Sequence, residues 1–221
     1  MYKYQSTKLV IAGLCTLFLW GVPLPADATV GTGTDTKINY TMNYPIVYTT
    51  NQISQDAINS DIYTYIANFR AAYERGDFVQ GTFSYKVKYE DDKFLSLIIN
   101  DYRWYGGPIH GTSHYISLNY NKETGEKLPL SYFVKLEPSD IRQIFSLTIY
   151  DDKDTAIPYK YLIHSNHQLT SDYYLLGNGE IALLYQPYAL AAYSFGATHI
   201  KLTAQWIDYS NFAVAKSLSY S

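Results

Sequence analysis

A chain of 221 residues with a formal charge of -3 and a pI near 5.9 can build one sizeable core and has no basic surplus, which argues against a nucleic-acid partner. Charged residues make up 17%, below the usual quarter, while 25 residues are tyrosine. Tyrosine combines apolar area with a hydroxyl, so this composition suits half-buried sheet faces first and recognition surfaces second.

The first 28 residues have the anatomy of an export signal. Lys3 and Lys8 precede an apolar run over 9–24, and Ala26 and Ala28 supply the small residues of a cleavage site, which predicts a mature chain from Thr29 that is periplasmic or extracellular. The run is 16 residues, short of the roughly 17 that span a bilayer, and Pro23 and Pro25 interrupt it, so cleavage is preferred to anchoring and no transmembrane segment is expected in the mature chain. The single cysteine, Cys15, lies inside the run behind Leu14, where a lipoprotein signal would carry a small residue. A mature chain without cysteine has no disulfide, thiolate metal site or cysteine nucleophile.

Residues 29–36 are small and polar and read as a flexible leader; residues 37–221 read as one domain. A strand-like run over 37–50 is followed by a change of period, with Ile53, Ala57, Ile58, Ile62, Ile66, Phe69 and Tyr73 predicting a helix over 52–75, Ser54 as its N-cap and Gly76 as its stop. Alternation over 81–90 predicts a strand, with Asp91 and Asp92 as turn formers.

The stretch 94–130 organises the remainder. An apolar strand ends in Tyr102, Trp104 and Tyr105; a turn follows through Gly106, Gly107, Pro108, Ile109, His110 and Gly111. The returning strand places His114, Ile116, Leu118 and Tyr120 on one face and Ser113, Tyr115, Ser117 and Asn119 on the other. Gly125 marks a second turn, at a position that needs positive φ. A second helix is predicted over 138–150 with Pro138 in its first turn, a polar loop over 151–170, a hairpin around Gly177-Asn178-Gly179, and closing strands at 200–202 and 205–208. The order gives an α+β fold: an antiparallel β-sheet with one long and one shorter helix packed on a face.

Catalytic signatures are weak. His110 and His114 spell H-x-x-x-H, but a turn and strand hold them up to about 13 Å apart at strand rise, unlike the helical version of that spacing. His164 and His167 sit in a polar loop without a third ligand at a recognisable spacing. No G-x-S-x-G elbow, phosphate-cradling loop or singled-out carboxylate pair is present, and no metal or cofactor is implied.

Two patches resemble the extracytoplasmic domain of the RsiV anti-sigma factor and its uncharacterised relatives. The first is Tyr105-Gly106-Gly107 through His110-Gly111, followed by Thr124-Gly125, Leu128, Leu130 and Phe133; the second is Tyr185-Gln186-Pro187-Tyr188 leading to Gly196. The segment Asn43-Tyr44-Pro45, with Ile58-Asn59 in the helix after it, is similar to the region that precedes that domain there and in a PdaC-type peptidoglycan deacetylase. The resemblance divides the domain at about residue 100, a PdaC-like part over 37–100 and an RsiV-like part over 101–208. Two departures stand out: Pro108-Ile109 makes the first turn one residue longer than the family's, and Ala189 replaces an acidic residue that often follows the Pro-Tyr pair. RsiV carries a cytoplasmic sigma-binding part and a membrane span before this domain; neither is seen here, so the resemblance implies an exported binding domain. Its partner would be lysozyme or another cell-wall-active protein, because RsiV senses by binding lysozyme.

Tyr102, Trp104, Tyr105, His110, Tyr115, Tyr185 and Tyr188 are therefore the candidate binding residues, with Gly106, Gly107, Gly111, Gly125, Pro187 and Gly196 as turn or structural positions. The reading is a non-enzymatic binding protein at the cell envelope. The alternative is a peptidoglycan-associated enzyme or an accessory carbohydrate-binding module, with peptidoglycan fragments as the ligand.

Overall fold

The computed structural model describes residues 29–218 apart from 108 and 166, with side chains through residue 212. The predicted export signal over 1–28, with Cys15, and Pro108 fall outside the described residues.

The fold is α+β, but with two sheets rather than one. The first contains β1 (Val30–Lys37), β2 (Tyr40–Val47), β3 (Gln80–Glu90), β4 (Phe94–Trp104) and β5 (Thr112–Asn121), adjacent in that order. The second is built from β6 (Ile149–Tyr150), β7 (Tyr173–Gly177), β8 (Glu180–Tyr185) and β9 (Thr198–Leu202), in the order β6-β9-β8-β7. Helix α1 (Gln52–Glu74) joins β2 to β3. A helical crossover returns the chain to the same end of the sheet, so this pair is parallel while the others are antiparallel.

The supposed leader is β1. Its threonines have high strand propensity, it pairs with β2 from Val30↔Val47 to Lys37↔Tyr40, and Asp35 is held by Arg70 of α1 at 2.8 Å. Gly33 in it leaves space for the Tyr44 ring, which a Cβ would strike. Small polar residues that look like a linker in isolation thus serve as a close-packed edge strand.

The apolar stripe of α1 runs through Ile58, Ile62, Ile66, Phe69 and Ala72, all buried, and covers Met42, Phe83, Leu95, Leu97, Ile99, Leu118 and Tyr120. Each fully buried aliphatic side chain contributes roughly 2 kcal/mol here. The cap is Asn51, whose side chain accepts from the Ile53 N–H, and not Ser54, which is buried and bonds the Lys122 carbonyl; Ile53 accordingly points to solvent. Gly76 ends the helix with φ 75.

The opposite face of β4 and β5 is polar for a specific reason. The edge strand β7 crosses it, and its exposed backbone groups find side-chain partners: Ser117 Oγ accepts from Tyr173 N (3.2 Å), Ser96 Oγ from Leu175 N (3.0 Å), and Asn119 Nδ2 donates to Tyr173 O (2.8 Å). Without them β7 would bury unpaired backbone donors and acceptors.

Two later elements differ from the sequence reading. The helix predicted over 138–150 shrinks to a 3-10 turn, Pro138–Asp140, and a single turn, α2 (Ile141–Ile144), because Ile149 is taken into the second sheet opposite Ile200. The closing strand at 205–208 is instead the start of α3 (Ala204–Leu218), where the Thr203 carbonyl accepts from Ile207 N and its hydroxyl from Trp206 N. The second core includes Leu130, Val134, Ile144, Ile149, Ile181, Leu183, Ile200 and Leu202.

Candidate binding site

The turn after β4 and the turn after β8, some eighty residues apart, meet at the end of β5. The Gln186 side chain joins them: its Oε1 accepts from Tyr115 N (2.9 Å) and its Nε2 donates to Tyr115 O (2.6 Å), so one amide acts as a one-residue strand on the edge of β5. Pro187 and Tyr188 follow as the central residues of a turn closed by Ala189 N donating to Gln186 O at 3.0 Å. Pro187 suits the first central position; the second, with φ 69, is one that normally selects glycine or asparagine. A tyrosine held there costs about 1–3 kcal/mol of backbone strain.

The opposing turn is built from glycine. Gly106 and Gly107 have φ 88 and 95, and Gly125 and Gly196 also lie at positive φ, 77 and 67. Gly111 is needed for another reason: a Cβ would collide with the Arg103 carbonyl and the Tyr102 ring. Tyr102 Oη accepts from Gly111 N (3.1 Å) and Trp104 Nε1 donates to Ile109 O (2.9 Å), so these two aromatics fix the turn from within.

His110 is the point of contact. Its ring stacks on Tyr193 with centroids 3.9 Å apart and lies 6.4 Å from the Tyr188 ring; Tyr188 and Tyr193 are 5.5 Å apart. Nδ1 bonds the Gly111 carbonyl at 2.7 Å, which requires the proton on Nδ1 and leaves Nε2 to accept from the Tyr188 hydroxyl at 3.3 Å. Both ring nitrogens are engaged, one in tying the turn and one in tying the two turns together. Tyr193, which is not among the candidate residues, is the platform beneath the imidazole.

The candidate residues therefore separate by position. His110, Tyr105 and Tyr188 are exposed, the tyrosines at 58% each, with Ile109 beside them at 72%. Tyr102 and Trp104 brace the turn. Tyr115 is half-buried against Tyr174, Ala182, Leu184 and Ala197, and Tyr185 is in the second core against Phe145, so neither presents a free ring to the surface. Burial raises the pKa of both phenols.

Two carboxylates border this region. Asp152 lies within electrostatic reach of Tyr115, beside Gly196, where a Cβ would overlap its carboxylate; Asp172 lies near His114. Neither is in a salt bridge among the described residues, and burial raises the pKa of each. The remaining histidines go elsewhere: His167 stacks on Phe145, His164 packs on Tyr159, and the buried His199 bonds the exposed Asp154. Among the described residues no three His, Cys, Asp or Glu side chains are grouped to hold a metal ion, and no helix is long and apolar enough to cross a membrane.

No protein-family model and no curated protein sequence matches the chain. Solved structures do. A DUF3298 family member from Bacteroides fragilis superposes with a TM-score of 0.56 at 15% identity, over 82% of this chain and 91% of that one. A DUF3298 family protein from Pseudomonas aeruginosa PAO1 gives 0.55 at 16%, over 84% and 93%. Across nearly its whole described length, the chain has the fold of these DUF3298 proteins, a domain family of unknown function.

Proposed function

We propose that this protein is a non-enzymatic binding module of the cell envelope that recognises a basic, cell-wall-active protein such as lysozyme through the exposed patch of Tyr105, Ile109, His110 and Tyr188. One observation carries the reading: two turns distant in sequence are joined so that Tyr188 is kept exposed, at a backbone conformation that would suit glycine, over a stacked His110–Tyr193 pair. Strain retained at an exposed aromatic is a mark of a functional position, and rigid tyrosines give large contact area at low entropic cost. The net charge of -3 and the unpaired Asp152 and Asp172 favour a cationic partner. The resemblance to the RsiV extracytoplasmic domain names lysozyme within that class.

Titration calorimetry of the full-length chain with lysozyme tests this. The expected result is saturable one-to-one binding that weakens with added salt and falls at least tenfold in Tyr188→Ala and in Tyr105→Ala. Absence of binding at tens of micromolar, or binding indifferent to both substitutions, overturns it.

A further inference from the structure

Beside the aromatic patch, between the 163–171 loop and the segment that follows β8, is an open cleft of ≈ 620 Å³. That size is within the range of about 300–1,000 Å³ common to small-molecule sites. Its polar lining includes Ser165, Gln168, Thr170 and Ser171, Tyr188 stands at its rim, and Tyr185 belongs to its wall. None of its described lining residues carries a charge. A charged ligand would lose hydration there without a counter-charge to replace it, whereas hydroxyls and primary amides each donate and accept.

Tyr185 only backs the wall: it is 6% exposed and its hydroxyl is buried beneath the surface, so the exposed Ser165, Gln168 and Ser171 are the groups a ligand can reach. At the rim the Tyr188 ring is exposed, and an aromatic face packs against the C–H face of a pyranose while the sugar's hydroxyls turn toward polar side chains.

Neutral lining, paired donors and acceptors and an exposed aromatic define one ligand chemistry. We propose that the cleft binds a neutral glycan chain, with Tyr188 as stacking platform and Gln168 and Ser171 as hydroxyl partners. This ligand is distinct from the protein partner proposed above and shares only Tyr188 with it.

The test is calorimetric titration of the full-length chain with chitotetraose and, separately, cellotetraose, which distinguishes an N-acetylated chain from a plain glucan. Saturable binding of at least one is expected, lowered at least tenfold in Tyr188→Ala and several-fold in Gln168→Ala and Ser171→Ala, and unchanged in Tyr105→Ala. Ser171→Ala removes only an exposed hydroxyl, so folding is retained, and circular dichroism of each variant checks this. No saturable binding of either oligosaccharide at 10 mM, a concentration at which even ligands of about −3 kcal/mol affinity register, overturns the proposal, as does binding that ignores all three cleft substitutions. Gln168→Ala should leave lysozyme binding intact and Tyr105→Ala should abolish it alone, so the two proposals fail separately.

Discussion

Asp154 and Tyr188 are both non-glycine residues at positive φ, 66 and 69, yet the surroundings treat them differently. The Asp154 carboxylate bonds Lys201 at 2.8 Å and the buried His199 at 2.9 Å, and Lys201 in turn lies 4.3 Å over the Tyr150 ring. Local bonds made by the strained residue itself account for the conformation. Among the described residues Tyr188 has one long side-chain hydrogen bond and an open stack with His110 and Tyr193 to set against a similar cost. The third such residue, Asn178, sits between Gly177 and Gly179 in a hairpin tip where asparagine is commonly left-handed. Strain at Asp154 is thus repaid by the fold, and strain at Tyr188 is not.

The largest effect is expected on the Asp154 side and is read by pH. Burial carries the His199 pKa from 6.5 down to about 4; Asp154 pulls the other way, and Lys88 and Lys201 add to the fall. Between those values the unfolded chain binds a proton that the folded chain refuses. The stabilisation is therefore complete above pH 6.5 and is lost as pH falls toward 4, about 3 kcal/mol for this one group. Urea unfolding at pH 7 and pH 4.5 should show His199→Gln losing less stability on acidification than the wild type. Asp152 and Asp172 titrate in the same way in both proteins and cancel in the difference. Equal acid sensitivity of the two would mean that His199 is not held neutral.

The next effect tests the bonds directly. Asp154→Gly relieves the backbone but removes the carboxylate paired with Lys201 and leaves His199 without its partner, and these losses outweigh the relief: a net destabilisation of about 1–2 kcal/mol is expected at pH 7. Thermal or urea unfolding of the variant measures it. A more stable variant would show that the ion pair contributes less than the strain it sustains, as exposed pairs often do.

Much of the architecture could be read from residue order. The period shift at 52–75 gave α1 within a residue, and the alternation over 113–120 separated the helix-facing side of β5 from the polar side. What escaped was tertiary in origin. Residues 29–36 carry one apolar side chain, Val30, and are drawn into β1 only because β2 offers a partner. Ser96, Ser117 and Asn119 look like a solvated face until β7 is laid across it. At the site, the aromatic and glycine motifs marked both turns, but their junction depends on Gln186 using its side chain as backbone, and nothing in a linear string distinguishes that amide from any other. Nor does the sequence show that Tyr185 turns inward while Tyr188, three residues on, turns outward; the reversal is produced by the Pro187 turn.

The smallest effect is the most discriminating, because its sign is opposite to that at Asp154. Tyr188→Gly places at φ 69 the residue that position prefers and removes a ring that is mostly in solvent. The backbone gain is offset by the greater freedom glycine brings to the unfolded chain and by loss of the His110 contact, so the net change should be a stabilisation of about 0.5–1 kcal/mol. The same substitution should weaken lysozyme binding at least tenfold. Stability up and recognition down in one variant is the pattern left by a residue kept for its ligand at the expense of the fold. If Tyr188→Gly instead destabilised the protein by 1 kcal/mol or more, the His110–Tyr188–Tyr193 stack would itself be holding the two turns together, and the patch would belong to the core that Tyr102 and Trp104 already brace.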